Sequence, residues 1–113
     1  MITKATELAE KIKNIIHSAP ERFFSNKEIS EKVNVSIKTA ENKFKEKFGT
    51  TIHSYALEFK INEAKNYFEM FPEISVKEVA FNLGFYDEYH FSRQFKKIVG
   101  CPPLSYKRMI NNK

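Results

Sequence analysis

The strongest constraint on this chain is that it contains one stretch twice. The segment KEISEKVNVS at 27–36 lies over KEVAFNLGFY at 77–86 with an offset of 50 residues. After one extra residue in the second copy, NKFKEKFGTTIHSY at 42–55 lies over RQFKKIVGCPPLSY at 93–106 with an offset of 51. Lys27/Lys77, Glu28/Glu78, Phe44/Phe95, Lys45/Lys96, Gly49/Gly100, Ser54/Ser105 and Tyr55/Tyr106 are identical between the copies. A repeat of this size is one supersecondary unit used twice, so the chain is expected to build two small cores instead of one large one.

Each copy reads as two helices joined by a sharp turn. Ser25-Asn26-Lys27-Glu28 and Ser75-Val76-Lys77-Glu78 are capping-box patterns: the serine hydroxyl satisfies an orphan backbone N–H and the glutamate reaches back. A small residue follows, Ser30 or Ala80, and four positions later Asn34 or Gly84. The small side chain admits a steeply crossing helix, and Asn or Gly takes the left-handed conformation the turn requires. The second helix starts at Ser36 or Asp87 and turns Ala40, Phe44 and Phe48, or Phe91, Phe95 and Ile98, toward the core. Gly49 and Gly100 end it. The opposite face then carries Lys38, Glu41, Asn42 and Lys45 in the first copy and Tyr89, Ser92, Arg93 and Lys96 in the second. A helix of this kind fits a DNA major groove, where its N-terminal outward residues meet base edges.

Between the copies, Thr50 or Thr51 is placed to cap a helix of about 20 residues that ends near Met70, with Phe71-Pro72 as its stop. Ile52, Tyr55, Ala56 and Phe59 form one apolar stripe on it; Leu57, Ile61, Ala64, Phe68 and Phe71 form another on a different face. Two stripes imply two cores and a rigid connector. Its length, roughly 30 Å, approaches the ~34 Å between successive major-groove openings on one side of B-DNA. An earlier helix over Glu7–Ile16, with Leu8, Ile12, Ile15 and Ile16 at helical spacing, stops at Pro20. The expected fold is all-α, with about seven helices: a first subdomain over 1–50, a connecting helix over 51–71 and a second subdomain over 72–113.

Composition agrees with that reading. Three glycines and four prolines are too few for the turns of a sheet-rich fold, while 11 Phe and 5 Tyr supply two small cores. The lone Cys101 forms no intramolecular disulfide, and without CxxC or a Cys/His cluster it suits a reducing cytosol. The charged N-terminus excludes a signal-peptide core, and no stretch of 18 apolar residues exists to span a bilayer. A cytoplasmic protein is expected. His17, His53 and His90 have no metal-ligand spacing, and no nucleophile, base and orienting group come together in the pattern, so neither an enzyme nor a cofactor or metal site is expected. The net charge of +5 favours a polyanionic partner. It is spread evenly, +3 over 1–50 and +2 over 51–113, so affinity has to rest on where particular side chains point.

ISVKEVAFNLGFYDEYHFSRQFKKIVGCPPLSYKR, at 74–108, resembles the signature of the AraC/XylS-type bacterial transcriptional regulators, specifically their DNA-binding domain with two helix-turn-helix motifs. Ile74, Val79, Ala80, Gly84, Phe85, Phe91, Phe95, Gly100, Pro103, Tyr106 and Arg108 stand where that pattern places them, and the likeness extends from about Lys27 to Arg108. The first copy fits less closely. The resemblance implies sequence-specific binding of double-stranded DNA and regulation of transcription, often activation by contact with RNA polymerase. It also implies a sensor or dimerisation domain as a partner if the chain is a fragment. Base reading would fall to Lys38, Glu41 and Asn42 in the first copy and to Glu88, Tyr89, His90, Ser92 and Arg93 in the second. Lys45, Lys96, Lys97 and Arg108 are candidates for phosphate contact, with Lys107 and Lys113 completing a basic tail. Asn42 stands where the family often has Arg, and Glu41 beside it lowers phosphate attraction while suiting a cytosine amino group, so the first copy is expected to specify less or differently. The alternative, prompted by Glu41, Asn42, Asp87 and Glu88 on the outward faces, is a helical protein-interaction module that has lost DNA binding.

Overall fold

The computed structural model describes residues 4–112, in which seven α-helices and no strand occur. They are α1 (Lys4–Ser18), α2 (Asn26–Val33), α3 (Ile37–Phe48), α4 (Ile52–Met70), α5 (Val76–Asn82), α6 (Glu88–Val99) and α7 (Pro103–Asn111). The chain divides into two compact units. One comprises the chain through Ala19 together with Phe23–Ala56; the other comprises Pro20–Arg22 and the chain from Leu57 onward. The dividing point falls inside α4.

In the first unit the predicted caps form. Ser25 accepts from the Glu28 N–H at 3.1 Å while Glu28 accepts from the Ser25 N–H at 3.2 Å. Ser36 Oγ accepts from the Thr39 N–H, and Thr51, not Thr50, caps α4 by accepting from the Ser54 N–H at 3.0 Å. Asn34 takes the left-handed turn at φ 59°. Substituting Asn34 with valine is therefore expected to cost about 1–2 kcal/mol of unfolding free energy, measured by urea denaturation. An unchanged midpoint would remove the turn from Asn34. Helix α1 packs on α3 and α2, burying Ala9, Ile12 and Ile16 with Ile29, Ala40, Phe44 and Ile52. Tyr55 leans its ring on Phe44 and Phe48 at 5.3 and 5.6 Å, and its hydroxyl lies 2.9 Å from His17 Nε2.

The second unit repeats the plan. Ser75 caps α5, Asp87 caps α6 by accepting from the His90 N–H at 2.7 Å, and Gly84 turns at φ 79°. Leu57, Ile61, Ala64 and Phe68 of α4 are buried in this unit, as are Val79, Ala80, Leu83, Phe85, Phe91, Phe95 and Tyr106. The Tyr106 hydroxyl donates to Glu69 Oε1 at 3.1 Å, and burial, with that carboxylate nearby, holds the phenol above its ordinary pKa. Two residues expected inside are not. Phe71 is 52% exposed because α4 has ended at Met70 and the residue leaves the helical stripe. Ile98 is 39% exposed in the last turn of α6. At 12 residues α6 outreaches the 7-residue α5 by several ångströms.

The feature with no sequence signal is Lys60. It sits in the apolar stripe of α4, only 2% exposed, and its ammonium donates to the carbonyls of Pro20 (2.6 Å), Arg22 (2.8 Å) and Leu83 (3.0 Å). Burial pulls its pKa down from 10.5 to about 8, so near neutral pH it keeps its proton and all three donors. It thereby fixes the segment Pro20–Arg22 beside the turn of the second helix-turn-helix. Gly84 meets the same segment: a Cβ there would stand 2.6 Å from the Glu21 carbonyl oxygen and 2.9 Å from the Arg22 Cα.

Candidate nucleic-acid interface

Burial of Ala40 and Phe44 on one side of α3, and of Phe91 and Phe95 on one side of α6, decides what the other side shows. On α3 the outward stripe is Lys38, Glu41, Asn42 and Lys45, all exposed; on α6 the same i, i+3, i+4, i+7 spacing gives Tyr89, Ser92, Arg93 and Lys96. The stripes correspond position for position at the offset of 51 found in the sequence. Tyr89, Arg93, Lys96 and Lys97 are exposed, whereas Glu88, His90 and Ser92 are half-buried.

Three placements refine the candidates. Asn26, the first residue of α2, donates its side-chain amide to Glu41 Oε1 at 2.7 Å, which orients that carboxylate. The His90 ring packs edge-on against the buried Phe85, centroids 5.5 Å apart, so it leans toward the core. Arg108 is exposed but belongs to α7; Lys107 beside it donates to the Ile74 carbonyl. Lys113 lies outside the described residues.

Charge is distributed along α6 as the helix dipole favours, with Asp87 and Glu88 at its start and Lys96 and Lys97 in its last turn. On α3 the last-turn cations are Lys45 and Lys47. Beside α3 lies a groove of about 430 Å³ walled by Asn26, Glu41, Asn42 and Lys45 on one side and by Thr51 and His53 from the start of α4 on the other. Residue spacing within α3 could not announce His53, because it comes from the next helix. In the second unit the unanticipated residues are Phe81, 80% exposed, and Tyr86, 94% exposed. The single-residue excess of the second copy was the available signal for Tyr86. Among the described residues no group of three His, Cys, Asp or Glu side chains is placed to hold a metal ion, and no helix is long and apolar enough to cross a membrane.

Residues 29–109 match the family described as a helix-turn-helix domain. The chain is 28% identical over 101 residues to the Msm operon regulatory protein of Streptococcus mutans, an alignment covering 89% of this chain and 36% of that protein. It spans about a third of the length of the curated relatives it matches. Among solved structures, the C-terminal domain of the two-component response regulator yesN from Fusobacterium nucleatum is similar at 30% identity and a TM-score of 0.80, covering 93% of this chain and 99% of that one. The DNA-binding domain of AdpA, a global transcriptional factor solved in complex with a target DNA, shares the fold at 20% identity and a TM-score of 0.81, with 90% of each chain covered. The family match over 29–109 and the 30% identity to the yesN domain agree with the duplicated turn and the two outward stripes. The chain belongs to the AraC-type family of helix-turn-helix DNA-binding transcriptional regulators.

Proposed function

We propose that α3 and α6 are both recognition helices, each entering a major groove of double-stranded DNA and reading base edges with its outward stripe. The observation that carries this reading is the correspondence of the two stripes: the same four helical positions lie opposite the buried face in both copies, where Ala40 and Phe44, or Phe91 and Phe95, are buried. On α6, Arg93 suits bidentate pairing with guanine, while Tyr89 and Ser92 flank it, with Glu88 and His90 in the preceding turn. On α3, Lys38 suits guanine, Asn42 suits adenine, and Glu41, oriented by Asn26, suits a cytosine amino group. Lys45, Lys96, Lys97 and Arg108 are assigned to phosphates. Regulation is proposed to be activation through contact with RNA polymerase in the cytoplasm, with a sensor or dimerisation domain supplied elsewhere in a longer regulator. The partial coverage of the curated relatives supports that last assignment.

Selection of bound sites from random duplexes, followed by salt-titrated binding, tests the reading. The wild type is expected to show a log–log salt slope of several units. Arg93→Ala is expected to lose about 1–3 kcal/mol of specific binding and to relax discrimination at one base position. Wild-type affinity and specificity in that variant would take Arg93 out of its role. Salt-independent or absent duplex binding would favour the protein-interaction module.

A further inference from the structure

The extra residue of the second copy can be identified from the backbone. Val35 and Phe85 are equivalent: each follows the left-handed residue, and each N–H bonds the carbonyl of the small helix residue, Ser30 at 3.1 Å or Ala80 at 3.0 Å. Ser36 and Asp87 are equivalent because each caps the helix that follows. The residue without a counterpart is Tyr86. It is held between a buried Phe85 and a capping Asp87, yet its own side chain is 94% exposed. With Phe81 (80% exposed) and Tyr89 (72% exposed) beside the same groove, it forms a contiguous exposed aromatic patch of the kind that marks contact with a partner.

Tyr86 lines a groove of about 240 Å³ with Lys77, Phe81 and Tyr89. Lys77 is the second residue of α5, where the positive end of the helix disfavours a cation. Lys27 occupies the same step of α2 and is likewise exposed, so the feature occurs in both copies. In helix-turn-helix binding the first helix crosses the DNA backbone while the start of the second meets base edges. This groove lies between those two elements. Its walls offer a cation, a phenolic donor and aromatic faces, which suit a phosphate and the apolar side of a deoxyribose. Asp87 and Glu88 also line it, but the Asp87 carboxylate is taken up by its cap, and both stand at the positive end of α6.

We propose that this groove seats the sugar–phosphate backbone of the duplex, with Lys77 and the Tyr86 hydroxyl donating to a phosphate and the Phe81 and Tyr86 rings packing on the adjoining sugar. The proposal rests on α6 entering the major groove. It is tested with two variants, Lys77→Gln and Tyr86→Phe, titrated with salt against a duplex recovered by selection and against a scrambled duplex of the same composition. Lys77→Gln is expected to lower the log–log salt slope by about one. Tyr86→Phe is expected to weaken binding to both duplexes by the same factor, about 3- to 10-fold, with the slope unchanged because a neutral donor releases no counterion. Melting temperature is expected to hold in both variants. Wild-type affinity and slope in both variants would overturn the proposal while leaving base reading by Arg93 standing; a wild type that binds no duplex would overturn both. A changed base preference in Tyr86→Phe, or a loss of stability matching the loss of binding, would also overturn it.

Discussion

Replacing Gly84 with valine is expected to lower the unfolding free energy of the second unit by about 3–5 kcal/mol, enough to remove most of the stability of a domain this small. Two costs combine. At φ 79° a β-branched residue is strained in its own backbone. Its Cβ would also press to 2.6 Å from the Glu21 carbonyl oxygen and 2.9 Å from the Arg22 Cα, and backbone atoms cannot swing aside as a long side chain would. Gly49 provides the control. It is equally left-handed at φ 72°, but nothing lies within 4 Å of its added Cβ, so Gly49→Val, the same substitution, should show the conformational cost alone, about 1–2 kcal/mol. Urea denaturation of both variants, followed by far-ultraviolet circular dichroism, separates the two costs. Equal losses at Gly84 and Gly49 would mean that close approach to Glu21 and Arg22 is not the cause.

Lys60→Met is expected to cost about 2–4 kcal/mol, although it exchanges a buried charge for a well-sized apolar side chain. Replacing a buried cation with an apolar group often stabilises when its partners are replaced as well. Here the partners are the carbonyls of Pro20, Arg22 and Leu83, which no side-chain mutation can remove. Each loses a charge-assisted hydrogen bond; the Leu83 carbonyl, whose bond is buried, is left unsatisfied at about 1–3 kcal/mol, and the part-buried carbonyls of Pro20 and Arg22, which water can reach, add a smaller remainder. Unfolding in urea measures the loss; a variant as stable as the wild type would show that the three carbonyls find other donors. Because Lys60 bonds Leu83 and Arg22 while Gly84 abuts Arg22, the double variant Gly84→Val, Lys60→Met should lose less than the two single losses combined. Residues that hold the same segment couple in this way.

Those two residues mark where the sequence can and cannot be read. Gly84 was legible because its requirement is local: a capping box, a small residue four positions before it and a capped helix after it fix the turn, and Asn34 does the same in the first copy. The limits of α3, α4 and α6 were legible for the same reason, each being marked by a cap or a helix-breaking residue. Lys60 was not. Its acceptors lie 40 and 38 residues before it and 23 after it, and a lysine on an amphipathic helix is ordinarily solvated. The inclusion of Pro20–Arg22 in the second unit, while Ala19 and Phe23 belong to the first, follows from the same long-range bonds. On the candidate interface, the outward stripes of α3 and α6 followed from helical periodicity. Glu41's contact with Asn26, the tilt of His90 toward Phe85 and the His53 wall came from neighbouring elements, which periodicity within one helix does not report.

The enclosure of Lys60 also gives the molecule a chemical reporter of its own opening. Acylation of a lysine needs an amine that is both deprotonated and within reach of the reagent. At 2% exposure Lys60 meets the second requirement only when Pro20–Arg22 and the Leu83 carbonyl come away from it. Exposed amines such as Lys38 and Lys77 should label at once, whereas Lys60 should label at a rate set by the opening equilibrium of the second unit. The peptide carrying Lys60 would then record how often the turn ahead of α6 loosens, and whether bound DNA holds it shut.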